Sequence, residues 1–179
     1  RIPRETAILE STLMVGFETV ATSRITLGAE AYRDAAVQGL RFGPDPSTHT
    51  RCTIGGMIGN NACGSRALGY GRTADNVVAL DALTVDGRPV GERADELSRL
   101  VDGHLGEIRP RFGRFGRQVS GYSLEHLLPE HGRSLDRFLV GSEGTLAVVT
   151  GATVRLVQDA PVRVLAVLGY PTMAEAADA

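Results

Sequence analysis

The chain has 179 residues, 42% of them hydrophobic and 22% charged, with a formal net charge of -2; this is enough apolar material for one domain of ordinary size built from one or two lobes. No stretch approaches the roughly 18 apolar residues of a membrane span, and the near-neutral charge gives no general pull toward nucleic acid or anionic lipid. All 19 basic residues are Arg, so the chain offers no Schiff-base amine, no Walker A lysine and no serine–lysine pair.

In chain order, residues 1–36 show little regular patterning, although residues 29–38 have helical spacing. Ala31, Ala35 and Val37 fall on or near one face there, and Gly39 is a plausible stop. Residues 40–76 are crowded with turn formers and read as a loop wrapped over a scaffold. Beyond them, residues 76–85 predict a strand, Asp86-Gly87 a hairpin turn and Arg88-Pro89-Val90 a short return. Residues 95–101 and 124–128 predict helices, and residues 138–140 and 146–156 predict strands. Another strand is expected at 163–168, and Thr172 opens a helix. Strands joined by hairpin-like turns with helices between them favour an α+β fold over a doubly wound parallel sheet. The chain opens on Arg1 and closes on what reads as a helix cut short, which sets the expectation of a piece of a longer protein. No secretory leader opens it, and Cys52 and Cys63 read as free thiols in a reducing compartment rather than a disulfide.

Glycine, at 22 residues, is roughly double its usual share, and it is clustered. The most informative run is Phe42-Gly-Pro-Asp-Pro-Ser-Thr48, followed by Cys52-Thr-Ile-Gly-Gly-Met-Ile-Gly-Asn-Asn-Ala-Cys-Gly-Ser65. Missing Cβ atoms let backbone approach a ligand closely and adopt positive φ. Its N–H groups can then converge on an anion such as a pyrophosphate, while Asn60 and Asn61 add amide donors and acceptors. The plainer reading is a tight glycine-rich connection without a ligand. Ile54, Met57 and Ile58 argue for an ordered segment in either case.

Other signals are weaker. Gly69-x-Gly71-x-x-Ala74 formally matches a dinucleotide fingerprint, which requires a strand before it and a helix after it; the Gly/Asn run precedes it and a strand pattern follows, so it is set aside. His126 and His131 stand five apart with Pro129 between them, which puts them off a common helical face and gives no metal pair. His49, Cys52 and Cys63 lack metal-ligand spacing, and Ser142 is not in nucleophile-elbow order. Arg109, Arg111, Arg114 and Arg117, interleaved with Phe112 and Phe115, form the one basic cluster. It suits nucleic acid, a carboxylate or a solvated or interface surface, and the acidic net charge disfavours nucleic acid.

The run from Arg41 to Val85, with RFGPDPSTHTRCTIGGMIGNNACGS and GYGRTADNVVALDALTVDG, closely resembles the FAD-linked oxidases of the vanillyl-alcohol oxidase and p-cresol methylhydroxylase type. Within them it is most similar to the 2-hydroxy-acid dehydrogenases acting on D-lactate, glycolate and D-2-hydroxyglutarate, including long forms fused to an iron–sulfur module. Two later blocks agree: Val119-Ser-Gly-Tyr-Ser-Leu124 and Leu139-Val-Gly-Ser-Glu-Gly-Thr-Leu146.

The resemblance implies FAD as cofactor and an α+β FAD-binding domain, mainly its second, antiparallel-sheet lobe. Residues 1–40 would be a remnant of the first lobe, 41–160 the second lobe and 161–179 the start of a substrate (cap) domain. Pro44, Asp45, Ser47, Thr48, Thr53, Ile54, Gly55, Gly56, Gly59, Asn60, Ala62, Gly64 and Ser65 would line the flavin and its pyrophosphate. Tyr70 and Gly71 would close that wall, with Glu143, Gly144 and Thr145 beside it and Val149 at the cofactor edge. The family's earlier P-x-G-G-G-T-S turn has no match between Arg1 and Leu40, and its catalytic and metal ligands are expected in the substrate domain, so no catalytic residue and no metal ligand is assigned. The implied partners are a 2-hydroxy acid and an iron–sulfur module or other electron acceptor, with a cytoplasmic setting, or a peripheral membrane one in the complete protein. The competing reading is a non-catalytic flavin- or nucleotide-binding fragment, or an interaction domain using the Arg/Phe cluster.

Overall fold

A computed structural model describes residues 9–10, 21–26, 39–49, 51–116, 121–158 and 167–179. Its spine is β5 (Val148–Gln158), rich in the β-branched residues that suit a pleated strand. Along one edge β5 pairs antiparallel with β2 (Ala21–Thr26), from Ala21↔Leu156 to Thr26↔Gly151, and β1 (Leu9–Glu10) flanks β2. On its other edge β3 (Leu40–Phe42) and β4 (Val77–Leu83) also run antiparallel to it. They lie end to end, because Phe42 faces Leu156 and Val77 faces Val154, only two residues further along β5. Everything between Gly43 and Asn76 is therefore an excursion that leaves and rejoins the sheet at nearly the same point.

That excursion is not the irregular loop expected from its composition. It contains α1 (Ile54–Gly59) and two single turns, α2 (Ala67–Tyr70) and α3 (Thr73–Asn76). The helix forms despite three glycines because Thr53 caps it, its Oγ1 accepting the Gly56 N–H at 3.0 Å. Ile54, Met57 and Ile58 then fall at i, i+3 and i+4 on one face. That face is only 1% exposed and packs against Phe42, Ala74, Val77, Val140 and the β5 residues Ala152, Val154 and Leu156. Burying such side chains stabilises by about 1.5–3 kcal/mol each, and this outweighs the helix-breaking tendency of glycine.

A second apolar cluster gathers Ala82, Val90, Val101, Ile108, Leu127, Phe138, Leu139 and Ala147 under α4 (Ala94–Asp102) and α5 (Leu105–Arg111). Leu80 and Val149 touch both clusters. The hairpin turn is where the dipeptide Asp86-Gly87 places it: Gly87 has φ +77, Thr84 N–H donates to Arg88 O at 2.8 Å, and Leu83 bridges to Pro89. Leu124–Leu127 is a 3₁₀ turn.

Residues 138–140 are not a strand. Leu135–Leu139 is a helix, α6, capped by Ser134 Oγ on the Arg137 N–H at 3.3 Å. The run Phe-Leu-Val has the apolar content of a buried strand, but Phe138 and Leu139 stand three and four residues from Leu135, the spacing of one helical face. Thr172 does cap a helix, α7 (Met173–Asp178), by accepting the Glu175 N–H at 3.2 Å. Of the strand expected at 163–168, Val167 and Leu168 are exposed irregular backbone, and the rest lies outside the described residues, as does the helix expected at 29–38. The antiparallel sheet with helices set apart from it is the expected α+β fold.

Candidate functional site

The glycine- and asparagine-rich stretch is held by its own polar side chains. Asn61, left-handed at φ +49, accepts the Ala74 N–H on Oδ1 at 3.0 Å, and the buried Thr73 donates both its N–H and its hydroxyl to Ala62 O, at 3.0 and 2.8 Å. Buried Asn76 donates to the carbonyls of Tyr70 at 2.7 Å and Arg72 at 2.9 Å. The stretch after α1 is thereby pinned against α3.

The block from Gly141 to Thr145 docks on the end of α1. Gly141 N–H donates to Ile58 O and Glu143 N–H to Gly59 O, both at 2.9 Å. The second bond satisfies a carbonyl at the helix C-terminus, and the first adds to the Asn61 N–H that already reaches Ile58 O at 3.4 Å. They require left-handed backbone at Gly141 (φ +88), Glu143 (φ +53) and Gly144 (φ +75). The block containing Gly121 joins through Tyr122, whose hydroxyl lies 3.0 Å from Thr145 Oγ1 and whose ring meets Phe138 edge-on at 6.4 Å. All three sequence blocks thus converge on one cleft of about 380 Å³. Asn60 and Asn61 line it from the first, Gly121, Tyr122 and Ser123 from the second, and Gly141, Ser142, Glu143 and Thr145 from the third.

The glycines divide into two groups. At Gly64 a Cβ would sit 2.0 Å from Asp45 O, and at Gly43 one would sit 2.8 Å from Tyr70 Cβ, so the chain's own packing demands glycine. Gly56 and Gly59 are different. Both lie in α1 without positive φ; around Gly59 there is nothing within 4 Å, and around Gly56 only Thr53 Oγ1 at 3.3 Å. Each glycine in a helix costs roughly 0.5–1 kcal/mol relative to Ala, and nothing in the described chain repays it. A bare helical face of this kind suits a ligand that lies close along the backbone, as an extended dinucleotide does, and the residues fit such a group.

The expected site residues take several positions. Asn60, Glu143 and Thr145 line the cleft, and Gly144 adjoins it with open space around it. Gly55 and Gly59 are half-buried and Gly56 exposed on α1. Thr53 serves as the cap, Ile54 is core, and Ala62 packs on the first apolar cluster. Pro44 is buried, whereas Ser47, Thr48 and Ser65 are exposed. Tyr70 lies under the Arg41 guanidinium at 5.1 Å, and Gly71 has φ +76. Val149 is half-buried and packs against both apolar clusters. Asn61, Gly121, Tyr122, Ser123, Gly141 and Ser142 line the cleft without having been assigned to it. Asn61 belongs to the first block, and the two later blocks carry the other five.

Two histidines lie outside the cleft, and the buried Nε2 of His126 has no hydrogen-bond partner among the described residues. His131 Nδ1 donates to Glu125 O at 2.6 Å, and burial holds the half-buried His126 below the usual histidine range. Among the described residues no group of three His, Cys, Asp or Glu side chains could hold a metal ion, and no helix is long and apolar enough to cross a membrane.

Residues 25–91 match the family model described as FAD binding domain. That segment belongs to the family, and the resemblance to FAD-linked oxidases drawn from the three blocks holds. The chain is 37% identical to the D-lactate dehydrogenase of Archaeoglobus fulgidus, over 98% of this chain and 34% of the relative. It is 31% identical to the D-2-hydroxyglutarate dehydrogenase of Pseudomonas putida, over 77% of this chain and 16% of that one. With glycolate oxidase subunit GlcD of Bacillus subtilis it shares 34% identity, over 78% of this chain and 23% of the relative. The chain therefore spans about a third of the first relative's length and less of the other two.

Proposed function

We propose that this chain is the FAD-binding portion of a flavin-dependent oxidoreductase that oxidises a small 2-hydroxy acid to the 2-oxo acid. The observation that carries the reading is the convergence of three separate motifs on one cleft beside the open, glycine-lined face of α1. The relatives named for D-lactate, D-2-hydroxyglutarate and glycolate support the substrate class.

FAD, when bound, supplies the two-electron acceptor: hydride leaves the substrate Cα as the hydroxyl proton goes to a base, and the 2-oxo acid remains. The part of this chain is binding and orientation. Gly56 and Gly59 let the cofactor lie against backbone. Asn60 presents an amide to its polar groups and Glu143 an acceptor for hydroxyls or amines, while Tyr122 and Thr145, bonded to each other and through Thr145 Oγ1 to Ser142 O, keep only acceptor capacity. The wall formed by Pro44 to Thr48, Gly64, Ser65, Tyr70 and Gly71 limits water on the other side. An iron–sulfur module or another electron-transfer partner is proposed to reoxidise the flavin.

The test is made on the complete protein. FAD is titrated by flavin fluorescence, and the loaded protein is then mixed anaerobically with D-lactate, D-2-hydroxyglutarate or glycolate. Saturable FAD binding and bleaching of the flavin by one of these acids is expected. Absence of FAD binding overturns the cofactor assignment, and bound flavin that none of the acids reduces overturns the substrate class.

A further inference from the structure

Asp45 stands in the segment that the family resemblance would set against the flavin, yet its carboxylate is already engaged. Arg41 NH1 and Arg66 Nε each lie 3.1 Å from Oδ2, and His49 Nδ1 lies 3.6 Å from Oδ1. The side chains of Asp45 and Arg41 are 17% and 10% exposed, so the contact between them is shielded from water and salt, while Arg66 and His49 reach Asp45 from more open positions. The backbone of Asp45 is engaged as well. It is a non-glycine residue at φ +43, and its carbonyl oxygen lies where any Cβ on Gly64 would be, at 2.0 Å. Arg41 in turn stacks on Tyr70 at 5.1 Å.

One residue thus gathers β3, the start of α2 and both ends of the glycine-rich stretch. A left-handed non-glycine backbone costs of order 1 kcal/mol and persists only where its surroundings over-determine it. Here two guanidinium groups and one close backbone contact do so. A carboxylate turned toward a diphosphate would repel it; one facing two guanidinium groups holds the wall together and leaves excess positive charge beside it.

We propose that Asp45 is a positioning residue: it draws Arg41 and Arg66 onto one carboxylate and so sets the spacing between the Pro44–Thr48 and Gly64–Arg66 segments that the cofactor must enter. This role rests on the FAD reading. Asp45→Asn tests it well, because Asn keeps the shape and tolerates left-handed backbone while removing the charge.

In the complete protein, Asp45→Asn is expected to weaken FAD binding by roughly tenfold or more, the scale of one lost charge-assisted hydrogen bond. Arg66→Gln shifts affinity in the same direction, and the double variant is no weaker than Asp45→Asn alone, because both act through one contact. Amide hydrogen exchange of residues 45–49 and 64–66 speeds up in Asp45→Asn without FAD present, while the β5 amides from 152 to 156 keep wild-type protection. Unchanged FAD affinity, unchanged exchange in the two segments, or additive losses in the double variant each overturn the role. A wild-type protein that takes up no FAD overturns the cofactor reading and this role with it; normal wild-type uptake with an unaffected variant overturns this role alone.

Discussion

The Glu143 N–H donates to the Gly59 carbonyl across 2.9 Å, and that bond ties the G-S-E-G-T segment to the end of the glycine-rich helix. Together with the Gly141 N–H on Ile58 O, it makes the cleft a property of two chain segments more than eighty positions apart. Replacing Gly141 by Ala should disturb both. At φ +88 an L side chain costs about 1–2 kcal/mol, and the new Cβ would lie 3.1 Å from Asn61 Cβ. Urea unfolding of Gly141→Ala should show that loss, and FAD titration should show weaker binding than the stability loss alone explains. A variant with normal affinity would show that the docking of this segment does not shape the cleft.

Gly56 and Gly64 should respond in opposite ways. Gly56→Val should change the stability of the fold by no more than about 1 kcal/mol, because Val is no worse a helix former than Gly and its Cβ meets only the capping Thr53 Oγ1, at 3.3 Å. Its branched Cβ should nonetheless reduce FAD affinity sharply. Gly64→Ala should destabilise the protein itself by at least about 1–3 kcal/mol, since the methyl group meets Asp45 O at 2.0 Å. Thermal unfolding without FAD separates the two, and the cofactor assignment of α1 fails if Gly56→Val binds FAD normally.

Glu130 gives a pH signature. Arg109 holds it through two hydrogen bonds, Nε to Oε1 at 2.7 Å and NH2 to Oε2 at 3.1 Å, and this lowers its pKa from 4.5 to about 2. Because the folded value is depressed, the unfolded chain binds more protons in that window. The contribution of the pair is fully present above about pH 4.5 and is lost as pH falls toward about 2. Both groups are exposed, so the effect is small and screened by salt. The urea midpoint of wild type should fall more over that window than that of Glu130→Gln; parallel curves would mean that the pair contributes nothing.

Asp136 caps the edge of β4. Its Oδ1 accepts the Leu80 N–H at 2.7 Å, next to the bulge between Asp81 and Ala82. Asp136→Ala should cost about 1–3 kcal/mol by leaving that amide without a partner, measured as a shift in urea midpoint at unchanged slope. A shift below about 0.5 kcal/mol would mean that water replaces the carboxylate.

Much of this was legible in the sequence where one physical signal dominated. The β-branched run that became β5, the Asp86-Gly87 turn and the Thr172 cap were read from local chemistry, and the three motif blocks pointed to FAD before any contact was known. Helix α1 was hidden because Gly55, Gly56 and Gly59 lower helix propensity, while the i, i+3, i+4 spacing of Ile54, Met57 and Ile58 spans too few residues to override them. Phe138-Leu-Val140 misled for a related reason: a short apolar run carries no period of its own, and the Ser134 cap decided the outcome. That Tyr122 reaches Thr145, and that Glu143 reaches Gly59, depends on tertiary packing that no local pattern encodes.

The end-to-end placement of β3 and β4 on β5 has a consequence for how such a domain can change. Phe42 and Val77 are anchored opposite Leu156 and Val154, so the sheet itself clamps the two ends of the intervening segment. Lengthening a segment whose ends are already fixed adds closure entropy only with the logarithm of its length, and it leaves the register of every strand untouched. The segment between Gly43 and Asn76 is therefore free to change length at its exposed turns, while Ile54, Met57, Ile58 and Ala74 stay bound to the core on β5. Those turns can take insertions while the frame that carries them keeps its pairing.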